Sequence, residues 1–483
     1  MKEGVVANYV SPAQGRSFDT PLCVDLDGTL VKTDTLIESG ITLLRKRLLL
    51  LFAYPIWLLR GKARLKHEIA SRVQFDAASL PYHEELLAFL ESEKARGRRL
   101  VLATASARPI AESVAEHLKL FDAVLTSDEH RNLKGSEKAR ALAAEFGAAN
   151  FSYAGNGRAD LDVWKVSRSA ITVGTPKSVA ARIPPDVPVE RQFVRRGSWL
   201  KSIIKAMRPY QWVKNLLVFV PIITAGAFFE IQAWRKALLM FIAFSLTASG
   251  AYLMNGVIDV TADRQHPRKR KRPFASGDLS LTTGLLLTPL LLGAGLAFGL
   301  AAGGALYILV YAAMTFLYSL TLKHYPLIDL FALSSLYSVR LFAGGEVSSH
   351  EVSFWLLGFS SFLFLSLAGV KRVAELRSTK KASRGYEAGD RDLLQIIGVG
   401  SSLVSANLLA LYVQSDTVAK HYANPRILWA TVPLLLLWQC RLWLSTTREY
   451  MLDDPIVYAA KDWVSWLIGL ALALVLAAGM VRF

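Results

Sequence analysis

The sequence predicts a two-part chain: an α/β domain built on a parallel sheet over residues 1–195, then an all-α polytopic membrane domain over residues 196–483. Three observations carry this reading. Of the 483 residues, 52% are hydrophobic, yet the formal charge is +17, a pairing that suits a membrane protein with basic cytoplasmic loops. Up to about residue 180, short apolar runs alternate with helical patterns, as in a parallel sheet covered on both faces. From Trp212 onward the apolar runs lengthen to about 17–22 residues, enough to span a bilayer.

In order along the chain, strands are expected at Leu22–Val24, Leu100–Ala103, Ala123–Leu125, Phe151–Ala154 and Ala170–Val173. A helical cap is expected over about 33–85. Within it Leu48–Leu59 (LLLLFAYPIWLL) is apolar and flanked by Arg45, Lys46, Arg47 and by Arg60, Lys62 and Arg64. Its core is too short to cross, and basic-flanked helices of this kind lie in the membrane interface. An ordinary buried cap helix explains it equally well. Pro184–Arg196 (PPDVPVERQFVRR) has turn residues and charge without periodicity, and reads as a linker.

Nine spans are expected, near 212–229, 236–256, 280–298, 301–321, 327–345, 354–371, 393–413, 427–445 and 464–481. The loop after the second carries Arg264, Arg268, Lys269, Arg270, Lys271 and Arg272. The loop after the sixth carries Lys371, Arg372, Arg377, Lys380, Lys381, Arg384 and Arg391, whereas Glu346–Ser353 has no Lys or Arg. The positive-inside rule then places the even-numbered exits and the α/β domain in the cytoplasm, with Phe483 outside. The expected location is the inner, cytoplasmic membrane of a bacterial-type cell. The charge punctuates apolar runs instead of forming one face, which argues against nucleic-acid binding. Cys23 and Cys440 stand in unlike contexts, so no disulfide or cysteine metal site is implied. The N-terminal stretch has no apolar signal core.

Asn255, Asp259 and Asp263 stand at i, i+4 and i+8 where the apolar run Ala237–Met254 ends. On a continuous helix that spacing stacks three oxygen-bearing side chains on one face. Carboxylates beside a membrane helix need a partner, and Mg²⁺, which shares a few carboxylates with substrate phosphates, is the natural one. The basic run RQHPRKRKR, Arg264 to Arg272, follows directly. Together these read as a Mg²⁺–diphosphate site at a membrane face. The plainer alternative is a capped helix end followed by a topogenic loop.

Asp25-Leu26-Asp27-Gly28-Thr29-Leu30 follows the first strand. An Asp at a strand end can attack phosphorus. A second Asp two residues on points the same way and can protonate the leaving oxygen, and Gly28 permits the sharp turn. The string resembles the first signature of the haloacid-dehalogenase (HAD) phosphatases, and the resemblance covers about residues 20–180. It implies a Rossmann-like fold with a helical cap and a Mg²⁺ site. Thr104 falls where that family binds the phosphoryl group. Lys138 matches the family lysine, with Lys134 as a rival. Gly155-Asn156-Gly157-Arg158-Ala159-Asp160 resembles its metal-binding motif, which would make Asp25, Asp27, Asn156 and Asp160 the ligands. Asn156 replaces the usual Asp, so it can ligate but adds no charge. A degenerate docking domain is the alternative.

The second half resembles the UbiA superfamily of intramembrane prenyltransferases, whose first Asp-rich motif matches Asn255–Asp263. Within it, Arg208-Pro209-Tyr210-Gln211-Trp212-Val213-Lys214-Asn215 and Lys371-Arg372-Val373-Ala374-Glu375-Leu376 look like decaprenyl-phosphate phosphoribosyltransferases. Where aromatic prenyltransferases carry a second acid row, this chain has Lys371, Arg372 and Glu375, and cationic side chains engage phosphate oxygens directly. The resemblance implies 5-phosphoribosyl diphosphate as donor and a polyprenyl phosphate as acceptor. Asn255, Asp259 and Asp263 would hold Mg²⁺, Lys371 and Arg372 the donor phosphates, and Glu375 the ribose. Arg208 and Lys214 would meet the lipid phosphate. Tyr318, Lys323 and Asp329 are further candidates. The plainer roles are membrane-edge anchors for Arg208 and Lys214, topogenic charges for Lys371 and Arg372, and a helix start for Asp329. Transfer leaves a phosphate on C5 of the ribose, which the HAD half is expected to remove. The alternatives are a prenyltransferase acting on an aromatic or other small acceptor, with a degenerate or regulatory HAD half, and a non-enzymatic lipid-binding scaffold. The chain is compatible with a homo-oligomer.

Overall fold

A computed structural model describes residues 20–46, 50, 53–59, 61–73, 75–128, 131–194, 197–378, 385–387, 389–415, 418, 422–451 and 454–480. The chain divides into two compact units: residues 1–203 with 256–284, and residues 204–255 with 285–483.

In the first unit, six parallel strands are ordered β3-β2-β1-β4-β5-β6. They are β1 Leu22–Val24, β2 Leu100–Ala107, β3 Ala123–Ser127, β4 Ser152–Gly155, β5 Ser169–Val173 and β6 Val189–Phe193. β1 lies at the centre, with Leu22 in register with Leu100 on one side and Ser152 on the other. Its three residues are fully buried, which explains why it reads as an unbroken apolar run. Two apolar clusters cover the sheet, one built on Leu26, Leu90, Leu102 and Ile171, the other on Val101, Phe151, Trp164 and Ala170.

The five expected strands are present. A sixth, β6, falls inside the expected linker. It is an edge strand whose first four residues are exposed, so its charges sit in water and mask the strand pattern. Cap helices follow β1 at Thr35–Lys46, Ala53–Leu59 and Lys62–Ala70. Part of the Leu48–Leu59 run lies outside the described residues. In the helix Ala53–Leu59, Ile56, Leu58 and Leu59 are exposed.

The second unit is helical. Helical segments occupy all nine expected positions among the described residues, but only six are long and apolar enough to cross a membrane: Ile231–Ile258, Leu281–Ala302, Phe354–Arg377, Asp390–Val413, Pro425–Thr447 and Trp463–Met480. The count of nine is not reached, for physical reasons. The first expected span opens as a 3₁₀ helix, Pro209–Phe219, and continues only through Val220–Thr224. Ala305–Leu320 is short. Ile328–Ser348 carries Asp329, Arg340 and Glu346. Large side chains such as Leu286, Leu300, Leu306 and Ile396 are more than half exposed, as expected where the solvent is lipid. Lys380, Lys381, Arg384 and Phe483 lie outside the described residues.

Candidate active sites

At the carboxyl end of β1, Asp25 is buried and its Oδ1 accepts from Lys138 Nζ at 2.6 Å. Lys138, on the helix Ser136–Phe146, is therefore the lysine that reaches Asp25, and Lys134 is exposed. Tyr153 OH accepts from the same Nζ at 2.9 Å and donates to Asp160 Oδ1 at 2.8 Å. Burial pushes the Asp25 pKa up to about 7; Lys138 opposes this, and the Asp160 and Asp27 carboxylates add to it.

Asp27 is held from two sides: Thr35 N donates to Oδ1 at 2.8 Å and Ser106 Oγ donates to Oδ2 at 2.5 Å. Burial, then the charge of Asp34, raises its pKa. That is the direction an acid needs in order to carry a proton to a leaving oxygen. Thr104 lies within β2, not beyond it, because the strand runs on to Ala107. Its Oγ1 accepts from Ser106 N at 3.0 Å, so it shapes the irregular stretch of β2 between Ala103 and Ala107 that aims Ser106 at Asp27.

The four residues expected at a HAD metal do not act alike. Both Asp160 oxygens are taken, Oδ1 by Tyr153 and Oδ2 by Asn156 N and Gly157 N at 2.9 and 2.8 Å. Both Asp27 oxygens are taken as well. Among the described residues, no three His, Cys, Asp or Glu side chains are grouped to hold a metal. The Asn156 amide lies against Gly28, which has φ +75°, and a Cβ there would strike it. Asp25, through Oδ2, and Asn156, through its amide oxygen, are the pair suited to Mg²⁺. The surplus of buried carboxylates over Lys138 gives a cation electrostatic reason to bind.

The Asp-rich stretch differs from a single helical face. The helix ends at Ile258, Asp259 stands at the N-cap position of the next without a side-chain capping bond, and Val260–Gln265 begins anew. Asn255 sits in the last turn of the first helix and is half-buried. Asp259 is partly exposed, with Arg45 Nη1 at 3.9 Å. Asp263 is buried, and Arg272 Nη1 donates to both of its oxygens at 3.0 and 2.8 Å. Asp263 therefore does not fit as a metal ligand here; it fastens the basic loop. Asn255 and Asp259 keep the chemistry that suits Mg²⁺.

In the helical unit, the Arg208–Asn215 stretch is tied to the long helices. Arg208, with φ +55°, lies 5.1 Å over the Tyr252 ring. Trp212 Nε1 donates to Ser249 Oγ at 3.0 Å. Asn215 joins Ser245 and Arg340 at 3.0 and 2.7 Å. Lys214 pairs with Asp454 Oδ2 at 2.5 Å, and Lys371 reaches the same oxygen at 3.6 Å. Two ammonium groups against one carboxylate leave excess positive charge in a largely buried place, a setting suited to an anion.

Arg372, expected to hold the donor phosphates, is instead enclosed among protein partners. It is about 1% exposed and donates to Asp329, Glu375 and Tyr318, while Tyr386 OH also binds Asp329. Its guanidinium is a structural hub, and Asp329, Glu375 and Tyr318 belong to that hub. Lys323 lies half-buried on the 3₁₀ turn Leu322–His324. Ser106, Tyr153, Arg340 and Asp454 escaped sequence reasoning, since most of their partners are distant in the chain.

Such a pairing of a HAD-like α/β fold with a helical membrane unit marks a membrane-embedded enzyme. The chain belongs to the UbiA prenyltransferase family, whose profile matches residues 216–482. The haloacid dehalogenase-like hydrolase profile matches residues 22–165. The chain is 33% identical to protein y4nM of Sinorhizobium fredii, over 94% of this chain and 90% of that one. It is 34% identical to the nodulation protein NoeC of Azorhizobium caulinodans, over 56% of this chain and 91% of that one. It is 40% identical to the decaprenyl-phosphate phosphoribosyltransferase of Corynebacterium glutamicum, over 36% of this chain and 54% of that one.

Proposed function

We propose that the membrane half transfers a 5-phosphoribosyl group from 5-phosphoribosyl diphosphate to a polyprenyl phosphate, and that the HAD half then removes the ribose 5-phosphate. The observation that carries the first step is the pair Lys214 and Lys371 on one carboxylate, Asp454, with Lys371 in the stretch where a second acid row would otherwise stand. Fixed cations bind phosphate oxygens directly. The match to phosphoribosyltransferases supports the same donor.

In this reading an oxygen of the lipid phosphate attacks the anomeric carbon, and the carbon–oxygen bond to diphosphate breaks with its electron pair leaving on diphosphate. Mg²⁺, when held by Asn255 and Asp259, neutralises charge on the departing group. Lys214 and Lys371 grip phosphate oxygens, with Arg208 beside them. Arg372, Glu375, Asp329 and Tyr318 keep the Lys371 helix in place. At the HAD site, an Asp25 oxygen attacks phosphorus and the bond from phosphorus to the ribose C5 oxygen breaks. Asp27 gives that oxygen its proton, and water then releases phosphate from Asp25. Lys138 steadies the developing charge. Tethering raises the local concentration of the second site. The basic loops support a cytoplasmic HAD half on the inner membrane.

A prenyltransferase acting on an aromatic or other small acceptor is the second reading, favoured by the family itself. Purified protein given labelled 5-phosphoribosyl diphosphate with polyprenyl phosphate, or labelled prenyl diphosphate with aromatic acceptors, separates the two. Label entering lipid only from the phosphoribosyl donor supports the proposal. Label entering only from the prenyl donor overturns it.

A further inference from the structure

Arg264 belongs to the basic run after Asp259, yet it is as buried as a core residue. Its side chain is 5% exposed, and Glu38, on the first cap helix Thr35–Lys46, is 6% exposed. The pair is bidentate: Nη1 donates to Glu38 Oε1 at 2.5 Å and Nη2 to Oε2 at 3.0 Å. Arg264 Nε donates to Ala275 O at 3.1 Å, so one guanidinium binds the cap and the far side of its own loop. Thr33 Oγ1 adds a bond to Glu38 at 3.2 Å. A topogenic arginine would stay in water. This one has given up water for a fixed partner, which is costly unless every donor is satisfied.

Two more contacts lie beside it. Gly277, with φ +76°, approaches Lys32 so closely that a Cβ would sit 3.0 Å from the Lys32 carbonyl oxygen. Arg45, on the same cap helix, approaches Asp259 at 3.9 Å. The same stretch of cap serves the phosphatase site, since Thr35 N holds Asp27 and the Thr33 carbonyl accepts from Gly28 N at 3.2 Å. The segment 32–45 therefore touches both the HAD nucleophile turn and the loop that carries Asp259.

We infer that the Glu38–Arg264 pair is a positioning link, by which the HAD cap sets the Asp259 loop in the arrangement that holds the donor's metal. The inference rests on reading Asp259 as the metal carboxylate of the transferase. Glu38 and Arg264 touch neither substrate nor metal; they act through the loop.

The test uses the full chain in lipid nanodiscs, with Glu38→Gln, Arg264→Gln and the exchange Glu38→Arg with Arg264→Glu. Three quantities are read: tryptic cleavage within Arg268–Arg272, the Mg²⁺ half-saturation of transfer, and 4-nitrophenyl phosphate hydrolysis. Each single change should raise loop cleavage and the Mg²⁺ half-saturation by about fivefold or more, the usual size of a coupling between sites. Arg264→Gln should leave aryl phosphate hydrolysis within about twofold, a shift that is small on the same scale. The exchange should restore both raised quantities at least in part. Wild-type cleavage and Mg²⁺ half-saturation in both single variants overturn the inference. If the singles fail to fold, the exchange decides: restored values support the link, and unrestored values overturn it. If the wild type transfers neither donor, the proposed function fails, and the cleavage measurement alone then decides whether the link holds the loop.

Discussion

Lys214 and Lys371 meet on a single carboxylate oxygen of Asp454, at 2.5 and 3.6 Å, although all three lie far apart in the sequence. The arrangement holds two cations close together, with one anion to offset their repulsion. A bound phosphate would supply the missing negative charge. Charge-assisted hydrogen bonds of this kind contribute about 1.5–3 kcal/mol each. Lys214→Ala and Lys371→Ala should each lower kcat/KM for the phosphorylated donor by roughly 10- to 100-fold. Steady-state kinetics at fixed lipid concentration checks this. Activity within twofold of wild type in both variants would remove the anion-binding role.

Arg372 should be intolerant of lysine. Its planar fork serves Asp329, Glu375 and Tyr318 together, which a single ammonium cannot do. Lysine keeps the charge but not the fork, and each buried oxygen left without a donor costs about 1–3 kcal/mol. Arg372→Lys should lower the melting temperature in detergent sharply, and activity should fall with the folded fraction. A stable Arg372→Lys protein with a raised KM for donor would return Arg372 to direct phosphate binding.

Glu190 should carry part of the acid sensitivity of the α/β unit. Arg98 donates to Glu190 and Glu93, while Ser169 donates to Glu190. Burial alone would raise the Glu190 pKa, but the Arg98 hydrogen bond and charge outweigh it and hold it below the usual range. A depressed folded pKa contributes stability above the ordinary value of about 4.3, lost as pH falls through the folded value. Unfolding midpoints should therefore decline below about pH 4, and Glu190→Gln should flatten that decline. An unchanged slope would exclude Glu190 as a contributor.

In the proposed HAD metal site, Asn156 would be a neutral ligand. Asn156→Asp adds a carboxylate where the wild type offers an amide, and ligand charge tunes affinity for hard cations. The Mg²⁺ half-saturation for aryl phosphate hydrolysis should fall on the order of tenfold. If it rises or stays unchanged, Asn156 is not a ligand.

Much of this was legible in the sequence, and the misses share a cause. The apolar runs located β1 to β5 because buried parallel strands show no alternation to confuse them. DxDGT located Asp25 and Asp27, and Lys138 stood one helical opening away. β6 stayed hidden because an exposed edge strand looks like a linker. The i, i+4, i+8 spacing of Asn255, Asp259 and Asp263 implied a shared face only if the helix were continuous, and it breaks at Asp259. Spacing also cannot show that Arg272 folds back onto Asp263, or that Asp454 waits for two lysines. Those partners are set by tertiary packing, where short-range patterns carry no information. The resemblance of the Lys371–Leu376 stretch gives Arg372 a phosphate role, but a motif does not show burial, and burial beside Asp329 and Glu375 makes it structural.

The most direct measurement is mass spectrometry of the lipids formed from 5-phosphoribosyl diphosphate and polyprenyl phosphate by wild type, Asp25→Asn and Asp259→Asn. Wild type should yield polyprenyl-phosphoryl ribose, Asp25→Asn should accumulate its 5-phosphorylated precursor, and Asp259→Asn should form neither. Ribosyl lipid formed undiminished by Asp259→Asn, or no ribosyl lipid from the wild type, would contradict it.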